Sequence, residues 1–290
     1  MNNAKTRADG AGTELKNNFS LTIVNKNTEK PELASKYSYT DKVFSKSSGD
    51  WACSETLLWQ DSKTPVDIVA FAPAQTGKFS GVCDNDRNIK PIAYSVASDQ
   101  STKSDNNDLL YYYAPGFKPG DKLVDEKLNI QFNHAFCMID INVTLGTEFN
   151  KPKVLDDSPI IKVTLGGTKI AANVDVKNST SIVTASGEAT NITTTQGTFT
   201  PAPDKNAEKN AISRFSCIAI PQTVAAGTFK VSLMTAGKLY EWTSVEPVEL
   251  KSGNRYTLEL TMGNNVVLLK DDKITASPWT EGTGGTLETD

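Results

Sequence analysis

The sequence predicts an all-β protein of two domains. Helical periodicity does not persist for three turns anywhere, whereas short apolar runs of period two recur along the whole chain. Turn chemistry separates these runs, as an architecture of many short strands requires. The chain has 290 residues, and at about 100 to 200 residues per domain two units are expected.

Residues 1–18 are small and polar and read as a flexible lead. Phe19, Leu21 and Ile23 then alternate with Ser20 and Thr22, which is a strand signal. Residues 26–50 are mostly polar and read as turns with one weak strand. From Trp51 to Pro73 two strands are expected, Leu57 to Trp59 and Val66 to Phe71, with turn residues Asp61 to Pro65 between them. Residues 75–108 are loop-rich, and 98–108 hold almost nothing apolar, so an exposed excursion is expected. Leu109 to Pro115 returns to strand composition.

Leu128 to Leu145 is the longest strand-like stretch. Leu128, Ile130, Phe132, His134, Phe136 and Met138 share one face, but from Cys137 the apolar set becomes Cys137, Ile139, Ile141, Val143 and Leu145. A one-residue slip exchanges the faces of a strand, so the stretch either carries a bulge near Cys137 to Ile139 or is buried on both faces there. It is expected to centre the N-terminal domain, with Phe132, His134 and Phe136 as core residues.

Pro152, Asp156, Asp157 and Pro159 break regular structure, so the expected division is 19–147 and 148–290. Ile161, Val163 and Leu165 alternate up to Gly166-Gly167, and Ile170, Ala172, Val174 and Val176 alternate after it, which reads as a hairpin. The Thr- and Ser-rich residues 179–200 favour edge strands and turns. Phe215 to Ile220, Phe229 to Leu233 and Tyr256 to Met262 are three further strands, with Tyr240 and Trp242 sharing a face between the last two. Val266 to Leu269 begins a final pair of elements that ends near Trp279.

Function classes fall away by inventory. The formal charge is -4 and Lys and Arg form no block, which argues against a nucleic-acid surface. No run approaches the roughly 18 to 20 apolar residues of a membrane-spanning helix. The four cysteines, Cys53, Cys83, Cys137 and Cys217, include no CxxC pair. Cys137 and Cys217 lie in strand-like runs and read as buried thiols, while Cys53 and Cys83 could be bridged in an oxidising compartment. The single histidine, His134, sits between two phenylalanines and reads as a core residue, not a base. Zinc ligand spacing is absent, and the acidic pairs Asp84/Asp86, Asp156/Asp157 and Asp271/Asp272 lack the spacing of a calcium loop. No catalytic residue, cofactor or metal is therefore expected. Trp51, Trp59 and Tyr111 to Tyr113 offer a carbohydrate platform, although most of them read better as core.

Several segments resemble one family in order along the chain. FNHAFCMIDINVTL is similar to the F-x-H strand of the Bacteroidales fimbrillins, the subunits of type V pili, and LLWQDSKTPVDIVAFAP to their short strand, turn and following strand. IAIPQTVAAGTFKVSL resembles their PQ turn, GNRYTLELTM their G-x-x-Y strand and ITASPWTEG their closing segment, which makes Trp279 a core residue. The resemblance implies two tandem β-sandwich domains of transthyretin-like, Greek-key character. It also implies secretion as a lipoprotein precursor whose signal peptide and lipid-bearing cysteine precede Met1, so a membrane is met only through that anchor. Stalk subunits of the family are cut after an arginine, and Arg7-Ala8 is the matching position. A strand from another subunit then fills the opened groove, with Val266, Val267, Leu268, Leu269 and Ile274 as the candidate donor residues. The implied function is a structural subunit of cell-surface fimbriae whose partners are other fimbrial subunits. The alternatives are a tip or accessory adhesin, binding a host glycan or protein through residues 75–108, and a secreted enzyme using His134.

Overall fold

The computed structural model describes residues 15, 17–47, 50–74, 83–84, 86–123, 127–150, 153–178, 182–205, 210–279 and 284–288. The protein is mostly β, with several antiparallel sheets and a few short helices. Two hydrophobic cores organise it.

The first half builds one six-stranded sheet. Its strands are β1 (Phe19–Asn25), β2 (Tyr39–Ser47), β3 (Asp50–Cys53) and β4 (Val66–Ala72), followed, after β5 (Ile92–Ser95), by β6 (Leu110–Phe117) and, after β7 (Lys127–Gln131), by β8 (Asn133–His134). The order across the sheet is β3-β2-β1-β4-β6-β8. β1 lies at its centre and is buried on both faces, not on one. Phe19, Leu21 and Ile23 enter the smaller core, while Val24 on the other face enters the larger one. Ser20 and Thr22, expected on a polar face, are therefore buried. Thr22 accepts a hydrogen bond from the Asp41 amide at 3.0 Å, and the Asn25 side-chain amide donates to Gln60 at 3.2 Å. Burial of such groups is tolerated because partners are supplied.

Residues 26–50 hold more structure than expected: the helix α1 (Pro31–Lys36), opened by Pro31 with Glu32 in its first turn, and the nine-residue β2. The strand expected at Leu57 to Trp59 does not form. The Tyr39 hydroxyl accepts from the Leu58 amide at 3.0 Å and donates to the Leu58 carbonyl at 3.2 Å, so a side chain takes the place of a strand partner. The expected exposed excursion at 98–108 is pinned instead. Gln100, Asn107 and Asp108 are buried, and the Gln100 side chain bonds both the amide and the carbonyl of Ile218, at 2.8 and 2.9 Å.

The phase slip in Leu128 to Leu145 is a passage from one core to the other, not a bulge. Leu128 and Ile130 of β7 and the following Phe132 pack in the smaller core, whereas Phe136, Cys137, Ile139, Ile141, Val143 and Leu145 pack in the larger one. β9 (Cys137–Leu145) leaves the first sheet altogether. It lies between β15 (Ile212–Ala219), antiparallel, and β20 (Asn254–Met262), parallel. The strand expected to centre the N-terminal domain thus centres a sheet of later strands. Cys137, Ile139, Ile141, Val143 and Leu145 carry it there, because all five are fully buried on one face. Each such side chain contributes about 1.5 to 3 kcal/mol relative to exposure. Strand pairing accordingly crosses the division expected at 147/148, and so does the pairing of β5 with β11 (Lys169–Val174).

The expected hairpin around Gly166-Gly167 is not formed either. β10 (Ile160–Gly166) pairs with β13 (Ile192–Thr193) and β17 (Lys230–Thr235), while β11 pairs with β5 and β12 (Val183–Ala189). Gly167 carries the chain between two sheets at φ +85°. β14 (Thr195–Thr200) edges β15, and β18 (Leu239–Thr243) edges β17. β16 (Gln222–Val224) pairs with β19 (Val248–Leu250).

All four cysteines are free thiols, so the bridge considered for Cys53 and Cys83 is not made. Burial, with Asp140 nearby, pushes the Cys217 thiol up to about 12, and burial raises Cys137 as well. A raised thiol stays protonated and unreactive at neutral pH. In a timed thiol-labelling experiment at pH 8, Cys53 and Cys83, both partly exposed, are expected to label in the native protein, Cys83 more slowly because burial raises its thiol. Cys137 and Cys217 should label only on unfolding, and native-state labelling of either would contradict their packing.

Candidate functional site

Both ends of the described chain lie on the first half of the molecule. Leu15 is buried in the smaller core immediately ahead of β1. At the other end, β21 (Val267–Leu269) and β22 (Thr275–Pro278) both pair with β20, and the chain then crosses over. Its last described strand, β23 (Gly284–Glu288), runs antiparallel to β7 in a separate two-stranded sheet, with Leu287 opposite Leu128 and Gly285 opposite Ile130. The sequence reading had no strand here, because glycine and threonine carry no apolar period. Only the pairing partner defines the strand.

Beside β7 lies a groove of about 230 Å³, walled by Leu21 and Ile23 of β1, by Trp51 and Cys53 of β3, by Trp59 and by Leu128. Trp51 meets Phe19 edge-on at 5.1 Å, and Trp59 stacks on Phe117 at 5.8 Å. Both indole N–H groups are buried without an acceptor. A buried donor left in that state costs about 1 to 3 kcal/mol.

The predicted site residues fall in three places. Arg7 and Ala8 lie outside the described residues. Val266 to Leu269 and Ile274 sit in and beside β21, on the edge of their own sheet. Val267 and Leu269 face inward, Val266 and Leu268 are exposed, and Ile274 packs against the larger core. Phe132, His134, Phe136 and Trp279 are all buried. They form the junction between the two cores: His134 meets the Asp108 carboxylate at 2.9 Å, and its ring lies 3.5 Å from that of Trp279, nearly parallel. The tyrosines expected as a platform do not share a surface. Tyr111 and Tyr113 turn to the larger core and Tyr112 to the smaller, and burial raises the hydroxyl pKa of all three. Among the described residues no group of three or more His, Cys, Asp or Glu side chains is placed to hold a metal ion, and no helix is long and apolar enough to cross a membrane.

The profile of the fimbrillin-like family matches residues 6–279. The chain belongs to the fimbrillin-like family. Solved structures agree on the fold. A candidate cell adhesion protein of Bacteroides ovatus superposes with a TM-score of 0.59 at 15% identity, over 98% of this chain and 91% of that one. A fimbrial protein of Bacteroides vulgatus gives 0.54 at 15% identity, over 90% and 93%. The tip fimbrial protein Mfa3 of Porphyromonas gingivalis, with a C-terminal truncation, gives 0.53 at 10% identity, over 92% and 95%. A comparison with curated proteins finds no match. This fimbrillin-like chain is thus a member of a fimbrial-subunit family, not of an enzyme family, and membership implies association with other fimbrial subunits at the cell surface.

Proposed function

We propose that this fimbrillin-like chain is a structural subunit of a cell-surface fimbrium that joins its neighbours by exchange of an edge strand. The observation that carries the reading is the pairing of β23 with β7, which places the last described strand on the first half of the molecule. A strand held by one partner in a two-stranded sheet is poised for replacement by the same strand of a second copy. Such a contact is head-to-tail, and head-to-tail contacts that do not close make filaments. Main-chain hydrogen bonds supply affinity in this mode, and the adjacent groove with its apolar and aromatic wall supplies a seat for side chains.

In this reading the two cores are the interiors of tandem sandwiches of transthyretin-like character. The chain is secreted as a lipoprotein precursor, and cleavage after Arg7 frees the region ahead of Leu15. The exposed Val266 and Leu268 of the donor candidates remain a secondary contact, since β21 is occupied by β20. A tip or accessory adhesin is the second reading, favoured by the likeness in fold to a tip fimbrial protein.

Treatment of the precursor with an Arg-specific protease is expected to give cleavage at Arg7 and a ladder of heat-resistant multimers on a denaturing gel. Deletion of residues 280–290 should abolish the ladder. A cleaved, full-length chain that stays monomeric would overturn the stalk reading.

A further inference from the structure

We propose that the outer face of the β15-β9-β20 sheet is a binding cleft for a neutral oligosaccharide. The floor is formed by outward residues of three neighbouring strands. Ser216, Asp140 and Thr257 stand in one row across them, and Arg214 and Asn142 begin the next. Residues 100–108 form one wall and β14 another, and they flank an open cleft of about 820 Å³. Small-molecule sites occupy about 300 to 1,000 Å³. The walls shelter the floor enough that the Asp140 side chain keeps 15% of its exposure and Arg255 33%.

The chemistry of the lining selects among ligand classes. Lys103, Arg214 and Arg255 are balanced by Asp105, Asp108 and Asp140, and Arg255 donates directly to Asp140. A balanced cleft does not concentrate anions. A peptide strand finds no edge here, because β9 is hydrogen-bonded on both sides. What remains is a surface of planar carboxylate, guanidinium and amide groups among hydroxyls. Sugar hydroxyls both donate and accept, so they match such a surface. The side chains are partly ordered already: Asn142 donates to Glu259 at 2.7 Å, and Arg214 donates to Thr200 at 2.8 Å. That arrangement reduces the entropy lost on binding.

Trp279 also lines the cleft; it is buried, and its ring is fixed by stacking on His134, so its emission reports on what occupies the cleft. The proposal is independent of strand exchange, since the cleft belongs to one chain and involves neither β7 nor β23.

The full chain should be applied to an array of immobilised neutral oligosaccharides, with sialylated and sulfated glycans alongside. Binding to one or more neutral glycans is expected, and titration of the best of them should change tryptophan emission. Arg214→Ala, which breaks only an exposed hydrogen bond, is expected to weaken binding at least tenfold with unchanged thermal unfolding. Binding to no glycan, binding to acidic glycans alone, or neutral-glycan binding untouched by Arg214→Ala would overturn the assignment. Multimer formation is scored on the same samples, so failure of the fimbrial reading is seen separately.

Discussion

His134→Ala is expected to lower the unfolding free energy by about 4 kcal/mol, the largest single-residue effect in the junction between the cores. Two losses coincide there. The Asp108 carboxylate, 2.9 Å from the imidazole and itself buried, is left in a low-dielectric site without that partner. Removing one member of a buried pair typically costs about 3 to 5 kcal/mol. The ring also supports Trp279, whose amide bonds the Gly253 carbonyl at 2.6 Å, while the Gly253 amide bonds the Phe136 carbonyl at 2.9 Å. His134 therefore ties together the excursion, the crossing between cores and the end of β22. Asp108→Asn keeps shape and hydrogen-bonding capacity and should cost less, about 1 to 2 kcal/mol. Equilibrium denaturation of the three proteins measures both values, and a His134→Ala change below about 1 kcal/mol would contradict a structural role for this residue.

Gly167→Ala is expected to destabilise by about 3 kcal/mol or more, because two costs add. The residue adopts φ +85°, which disfavours a side chain, and a Cβ there would stand 2.1 Å from the Thr228 carbonyl oxygen. That oxygen is backbone between β16 and β17 and cannot rotate away. Gly187 is the control: its φ is +77°, but nothing lies within 4 Å of the added carbon. Gly187→Ala should therefore show the conformational cost alone, about 1 kcal/mol. Equal effects at the two glycines would show that the close approach at Thr228 is not maintained in solution.

Residue patterns foresee the strands better than their partners. The period-two runs at β9, β15, β17 and β20 are legible because each buries one face fully. Pairing is not legible, since alternation around Gly166-Gly167 is the same whether two strands form a hairpin or part into different sheets. The phase slip after Phe136 is visible in the sequence, but a slip records only that the buried side changes. A passage between cores is decided by the distant strands β15 and β20. Leu57 to Trp59 misleads for a related reason: an apolar run can be wall as well as strand, and Tyr39 supplies its hydrogen bonds. At the site, the aromatic wall of the groove is legible as aromatic residues but not as one surface. β23 carries no hydrophobic period, so neither it nor its position on β7 can be read from composition. The cleft over β9 is equally hidden, because Arg214, Asn142 and Trp279 meet only through the sheet.

The central claim is that β23 pairs with β7 of another copy in the assembled form, and a cysteine trap tests it most directly. Asn129 and Thr286 are opposed across the β7–β23 pair, and directly opposed antiparallel Cα atoms lie about 4.5 to 5.5 Å apart, within disulfide reach. With Cys53 and Cys83 replaced by serine, one protein carries Asn129→Cys and another Thr286→Cys. The two are mixed before Arg-specific cleavage and oxidised after assembly. The account predicts a disulfide between the two proteins that appears only in the multimeric fraction. A disulfide that forms solely when both cysteines are placed in one chain, with none between mixed chains in the multimers, would contradict it.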